Sequence, residues 1–338
     1  MNTSNTSSPR VVQVERRPWS TNFSIEGYFA RVRKTLVANG CEIVARQLPY
    51  HSSGLIPRVR NTLAARRFQG DVTHVTGDVH YAVSACNPDS TVLTVLDCHA
   101  LDRLQGMKRW VFKHFWYTQV LRRVRYVTVI SEETKRVLLG HCDFDESRIV
   151  VIPVSVSPEF TPSAKEFCKQ KPRILQVGTK PNKNLQRLIP ALRGVPCVLS
   201  IVGPLDSATK DLLAGNQIEF EHAEQLTNEE IVQAYRDCDV IAFVSTYEGF
   251  GMPIVEGQCI GRPIVTSNVS SMPEVAGDGA CTVDPYDEES IRDGFLRVFE
   301  DAQYRDSIVS AGYENAKRFD HGQICRAYRD LYQRTFAG

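Results

Sequence analysis

Apolar runs of a few residues recur along the chain, most of them followed by a stretch with helical spacing. VVQVE (11–15) is the first. A polar loop, RPWSTNFS, leads into a helical pattern over Ile25–Asn39 that stops at Gly40, and CEIVARQL (41–48) is strand-like again. A strand, helix, strand opening of this kind starts a parallel sheet. Further strands are predicted at 71–77, 91–98, 126–131 and 148–154, with helices over Gly106–Arg122 and Glu132–Leu139. Between Val156 and Pro172 the periodicity lapses into SPEFTPSAKEFCKQKP, a linker by composition. The alternation then restarts. Strands are predicted at 173–178, 197–203, 217–222, 239–245, 262–267 and 280–285. Helices fit Leu185–Arg193, Ser207–Ala214, Thr227–Asp237, Pro253–Ile260 and Glu288–Glu300. A last helix carries Ile324, Tyr328, Leu331 and Tyr332 on one face. The pattern predicts an α/β protein with a tail over 1–10, one doubly wound domain over 11–160, a second over 171–320, and a terminal helix over 321–338. Ligands of such sheets bind beyond the carboxyl ends of the strands, so a cleft between the domains is the expected site.

Length and composition agree with this division. The 338 residues suit two domains of about 150 each. Lys and Arg number 40 against 39 Asp and Glu, so nothing global points to nucleic acid. The ten cysteines form no CxxC and no zinc-spaced cluster, which suggests buried thiols of a cytosolic protein. MNTSNTSSPR lacks the apolar centre of a signal peptide and is expected to be disordered. No window approaches the roughly 18 apolar residues of a membrane span, so the protein is expected to be cytoplasmic.

Candidate chemistry concentrates in STYEGFGMPIVEG (245–257). This is the loop after a buried strand, and Pro253 suits the first turn of the next helix. Gly249 and Gly251 let the backbone approach a ligand, and free N–H groups around Phe250, Gly251 and Met252 favour a phosphate or a hydroxyl cluster. Glu248 and Glu256 flank that turn. Carboxylates accept hydrogen bonds from vicinal sugar hydroxyls, so a nucleotide sugar would occupy both glutamates and the N–H groups; a solvated Glu248 and a merely dipole-stabilising Glu256 are the plainer alternative. RILQVG followed by TKPNKNLQRLI places Lys180 and Lys183 at the end of another strand, where they could meet a diphosphate or simply stand in solvent. The loop is not GxxxxGK[ST], and the first strand carries no GxGxxG.

These segments resemble the family 4 retaining glycosyltransferases. EGFGMPIVE is similar to their E-x7-E signature, VGTKPNKNLQRLI to their phosphate-binding loop, and MPEVAGDGACTVDPYD to the block that follows. VISEETKRVL, VIPVSVSPEF, NFSIEGYF and THVTGDVHY resemble their first-domain text, so the likeness covers roughly residues 11–336. It implies the GT-B fold, two facing Rossmann-like domains with a cleft between them, the second holding the donor, and a last helix that crosses back to the first. It also implies metal-independent transfer of a hexose from a nucleotide-diphosphate sugar, such as GDP-mannose or a UDP-sugar, to a glycan or lipid-linked acceptor. No cofactor is implied. Under this likeness Glu256 binds the ribose, Glu248 holds the transferred sugar, and Lys183, with Lys180, stabilises the leaving diphosphate. Gly178 and Thr179 line the same loop, with Thr179 where relatives often have arginine. Backbone around His222 and Ala223 is expected to meet the base.

In the first domain Leu96 takes the place of a histidine common in the family, and Asp97 that of its aspartate. His99 and His80 (in GDVHY) are then the candidates for the donor sugar, or else structural histidines. Leu96 also leaves open a protein of this shape that binds nucleotide sugar without turnover. Finally, 103–126 holds seven Lys or Arg, six aromatics and no acid. Either its aromatics pack on the sheet while its cations reach solvent, or it makes peripheral contact with the inner membrane surface.

Overall fold

The computed structural model describes residues 8–18 and 24–338. Most of the polar tail and part of the loop after the first strand lie outside the described residues. The chain divides into two compact units. One comprises the residues up to Ser155 together with His321–Gly338; the other is Val156–Asp320. Each contains a six-stranded sheet.

In the first unit the strands are β1 (Val11–Glu15), β2 (Ile43–Gln47), β3 (Val72–Thr76), β4 (Thr91–Val95), β5 (Tyr126–Val129) and β6 (Ile149–Val151). They are all parallel, in the order β2-β1-β3-β4-β5-β6. β1, β3 and β4 are buried along their whole length, so polar residues such as Gln13, His74 and Thr94 are enclosed together with the valines. Alternate residues feed separate cores: Val12 and Val14 join one, Val11 the other. The second core is completed by the terminal helix His321–Ala337, whose Ile324, Tyr328, Leu331 and Tyr332 pack with Tyr28, Phe29, Val32 and Leu36. A buried polar seam fixes this docking. His74 Nδ1 lies 2.8 Å from the Tyr332 hydroxyl and its Nε2 2.7 Å from Thr94 Oγ1, which in turn meets Thr128 Oγ1 at 2.7 Å.

The expected helix over Gly106–Arg122 is broken. An α-helix covers Gly106–Lys113, a π-helical turn covers His114–Thr118, and Gln119–Leu121 completes it. The wider turn accommodates the run of four consecutive bulky side chains HFWY, with Tyr117 buried and Phe115 outward. A helix over Leu55–Ala65, unsignalled by the sequence pattern, precedes β3. Among the described residues no helix is long and apolar enough to cross a membrane.

The second unit contains β7 (Arg173–Val177), β8 (Val198–Val202), β9 (Phe220–Ala223), β10 (Val240–Phe243), β11 (Ile264–Ser267) and β12 (Cys281–Val283). Their order is β12-β11-β10-β7-β8-β9, all parallel. Read from β9, this is the Rossmann order, with the direction of winding reversing between β7 and β10. The segment 156–172 does not behave as a linker. Asp239, 3% exposed, accepts hydrogen bonds from the backbone N–H groups of Cys168 (3.0 Å) and Arg173 (2.8 Å) and pairs with Lys165. One buried carboxylate thus ties this proline-bearing segment to the unit, an interaction that leaves no mark in local composition.

Candidate functional site

The reversal between β7 and β10 brings two loops side by side. The loop after β7 begins at Gly178, whose φ of 87° lies in the region that favours glycine. A Cβ there would stand 3.1 Å from Lys183 Cε, so the absent side chain lets Lys183 fold back over the turn. The turn Pro181–Lys183 ends at Asn184, left-handed at φ 63° and fully buried. Its amide donates to the carbonyls of Val244 (3.0 Å) and Pro285 (2.7 Å), holding the loop against the end of β10.

Lys183 therefore points at the second loop. Its Nζ donates to Glu248 Oε1 at 2.6 Å and sits 4.5 Å above the Phe243 ring. The amide of Asn182 donates to the same Glu248 oxygen and to the Tyr247 carbonyl, both at 3.0 Å. Ser270 and Ser271 hydroxyls donate to the Glu248 carbonyl at 2.7 and 2.9 Å, and Ser271 also to that of Phe250 at 2.6 Å. The carboxylate is thus presented by a loop fastened on two sides. Phe250 is buried, with its ring against Phe319, so only its backbone is available to a ligand. Gly251, at φ 121°, precedes the helix Met252–Ile260. Met252 is half-buried at its first position.

Glu256 lies one turn into that helix and accepts a 2.6 Å hydrogen bond from the buried Tyr235 hydroxyl. Burial and the neighbouring carboxylate push the Tyr235 phenol well above its ordinary range, so it remains a protonated donor. On the other side of β7, the loops after β7 and β8 and the strand β9 are also joined: Thr179 Oγ1 donates to the Pro204 carbonyl (2.6 Å), and His222 Nε2–H to that of Gly203 (2.6 Å). Lys180 is exposed. Asn182, Asn184, Tyr235, Ser270 and Ser271 join the site without a motif of their own in the sequence. The repeated asparagines of PNKN were the one available signal.

The first-unit candidates fall out differently. His80 is a core histidine, 2% exposed, with Nδ1 3.3 Å from the Trp116 carbonyl and its ring against Trp116 and Tyr117. Burial lowers its pKa, favouring the neutral ring, and it does not front an open surface. The aromatic side chains of the π-helical turn close over it, which the GDVHY text could not reveal. Asp97 is exposed and accepts the His99 N–H at 3.0 Å, opening the short helix His99–Arg103. Leu96 and His99 are half-buried.

Comparison with known proteins covers both units. Residues 159–315 match the family described as glycosyl transferases group 1, and residues 25–160 match glycosyltransferase family 4. An O-antigen chain mannosyltransferase B from Escherichia coli is 25% identical over 252 residues, which is 68% of this chain and 65% of that protein. The serotype-specific mannosyltransferase WbdA of the same species is 25% identical over 80% of this chain and 38% of its own length. The chain thus spans less than two thirds of these relatives. Among solved structures, a glycosyltransferase from Rickettsia africae superposes with a TM-score of 0.78 at 18% identity, covering 97% of this chain and 99% of its own. WaaG, a glycosyltransferase involved in lipopolysaccharide biosynthesis, superposes at 0.74 and 13% identity, covering 95% and 99%. With two parallel-sheet units of this topology and family matches running from residue 25 to 315, the chain belongs to the family 4-like glycosyltransferases of GT-B fold.

Proposed function

We propose that the protein is a retaining hexosyltransferase of cell-surface polysaccharide biosynthesis, moving mannose or a related hexose from a nucleotide-diphosphate sugar to a glycan or lipid-linked acceptor. The observation that carries this reading is the convergence of Lys183, Glu248 and the Gly251 turn at the strand-order reversal of the second unit. A diphosphate at the turn would draw Lys183 from Glu248, leaving the carboxylate to accept hydroxyls of the transferred sugar. Glu256, oriented by Tyr235, would take the ribose hydroxyls. In the transfer the anomeric C–O bond breaks and its electron pair leaves with the nucleoside diphosphate. The acceptor oxygen forms the new bond and its proton goes to the departing phosphate. Lys183 and the N–H groups of the turn stabilise that departing charge, the work a divalent metal does elsewhere.

Related names point the same way on the sugar: the curated relatives cited above are mannosyltransferases. A structural neighbour from Anabaena binds UDP and glucose. Transfer and hydrolysis should be measured with a panel of GDP- and UDP-hexoses, with acceptor extract and with excess chelator. Chelator-resistant transfer with retained anomeric configuration is the expected result. Leu96, apolar where the family commonly has histidine, favours the second reading of a nucleotide-sugar-binding protein. Binding without turnover across the panel would establish that reading instead.

A further inference from the structure

Four guanidiniums converge at the edge of the first unit where β4, β5 and β6 begin. Arg122 and Arg125 lie in the segment that enters β5, Arg148 immediately precedes β6, and Arg334 reaches them from the terminal helix. With Tyr126 they line a cavity of about 660 Å³, an ordinary volume for a small-molecule site. Arg148 is fixed from behind. Its Nε donates to the Arg125 carbonyl at 2.9 Å and its Nη2 to that of Val124, while its Cζ lies 4.8 Å from the centre of the Phe144 ring. The Arg125 backbone N–H donates to the Thr91 carbonyl at 2.7 Å, which joins the entries of β4 and β5. Arg334 Cζ stands 4.7 Å over the Tyr126 ring, and Arg125 Cζ 5.9 Å.

These cations lack an internal counter-charge. Among the described residues none of the four pairs with a carboxylate, and Asp89 is the single acid in the lining. On the turn before β6, Glu146 pairs with Lys135, and Asp145 accepts from the Ser147 hydroxyl. Four like charges around one cavity repel one another, and an anion seated among them relieves that cost. The Tyr126 phenol reports the field: hydrogen bonding by Arg334, aided by the charges of Arg334 and Arg125, lowers its pKa against the effect of desolvation.

We propose that this pocket binds a soluble small molecule carrying two or more linked phosphate groups. Guanidiniums meet phosphate oxygens as planar forks, and four of them around one cavity suit several phosphoryl groups better than a single carboxylate. A nucleic acid would need cations strung along a groove, whereas these ring one point in a chain of balanced charge. A bilayer would need apolar side chains at the rim, and none of the exposed large hydrophobic residues lines this cavity. The pocket lies at the amino-terminal ends of its strands, whereas Lys183 and Glu248 stand on loops at the carboxyl ends of strands in the second unit. It uses no residue of the donor loops, so it stands independently of the transferase reading.

The test is calorimetric titration of the full chain with inorganic pyrophosphate and tripolyphosphate at fixed ionic strength, with sulfate as the control anion. Tripolyphosphate should bind about tenfold more tightly than sulfate, or better. Arg122→Gln/Arg334→Gln should weaken it about tenfold or more, whereas Lys183→Ala should leave a site of parental affinity. Both arginines are exposed, so thermal unfolding without ligand should match the parent chain and serves as the folding control. Tyr126 gives a second readout. An anion beside its ring disfavours the phenolate, so the ultraviolet titration assigned to it by Tyr126→Phe should move to higher pH with tripolyphosphate. Binding no tighter than that of sulfate, or equal binding by the arginine variant, overturns the proposal. So does loss of all oligophosphate binding in Lys183→Ala, which would put the anion at the donor loops alone. If no nucleotide sugar is ever turned over, these titrations still decide the pocket.

Discussion

Lys183 and Glu248, on loops after different strands, are bonded to each other at 2.6 Å, with Asn182 on the same carboxylate oxygen. Two groups that the proposed donor would engage separately therefore satisfy one another. Both side chains are mostly buried, at 16 and 17% exposure, so neither charge is strongly screened by water. Under the proposed function, donor binding would exchange this ion pair for contacts with diphosphate and sugar, and the pair would oppose binding.

Glu248→Gln removes that competition. Turnover should fall about a hundredfold, because the carboxylate proposed to hold the transferred sugar loses its charge. Nucleoside diphosphate alone should bind about threefold more tightly, because Lys183 is released. Calorimetry with GDP and UDP, alongside kcat, checks both. Weaker nucleotide binding in this variant would show that the pair does not oppose the donor.

Tyr235→Phe deletes the hydroxyl that orients Glu256. A hydrogen bond to a charged group contributes about 1.5–3 kcal/mol, part of which is retained when water substitutes. The donor KM should rise about threefold to tenfold with kcat nearly constant, and Glu256→Ala should show the same pattern more strongly. An equal loss in kcat for both variants would contradict a role confined to nucleotide binding.

His74 makes stability depend on acid. Burial lowers its pKa from 6.5 to about 3, so the folded state resists a proton that the unfolded chain accepts. Its contribution is complete above pH 6.5 and is lost as pH falls from there towards 3, with a slope of at most about 1.4 kcal/mol per pH unit. His74→Gln keeps a polar partner for Tyr332 but does not titrate. Denaturant midpoints at pH 7 and pH 4.5 should differ less in this variant than in the parent chain. Equal differences would show that other groups carry the acid response.

Asp239→Ala should cost about 3 kcal/mol, since it strands Lys165 and two backbone donors. Limited proteolysis gives the local readout: cleavage within 156–172 should accelerate before the remainder of the second unit is cut. Unchanged cleavage there would mean that other contacts hold the segment.

Much of this architecture was legible along the chain because buried parallel strands concentrate valine, isoleucine and other β-branched residues in short runs. All twelve strands overlap the runs read from sequence, and the helix Glu288–Glu300 has the predicted limits. The misses share a cause. The helix Leu55–Ala65 turns apolar residues to solvent, so its pattern is the reverse of a core-facing helix. The π-helical turn at His114–Thr118 follows from a crowded aromatic run that periodicity cannot resolve. His80 looked reactive in a short polar phrase, and its burial comes from residues more than thirty positions away, Trp116 and Tyr117.

The sequence by itself determined the repeating unit of strand and helix, the glycine-bearing turn before Met252, and the residue types around it, because each depends on neighbours in the chain. Which of those residues meet was decided only by the tertiary structure. Lys183 and Glu248 touch because β7 and β10 are adjacent in the sheet, an order set by how helices cover its two faces. The same holds for Tyr235 and Glu256, and for Arg122 and Arg334, which line one cavity of the first unit. Each is a distance between segments remote in sequence, and packing sets such distances.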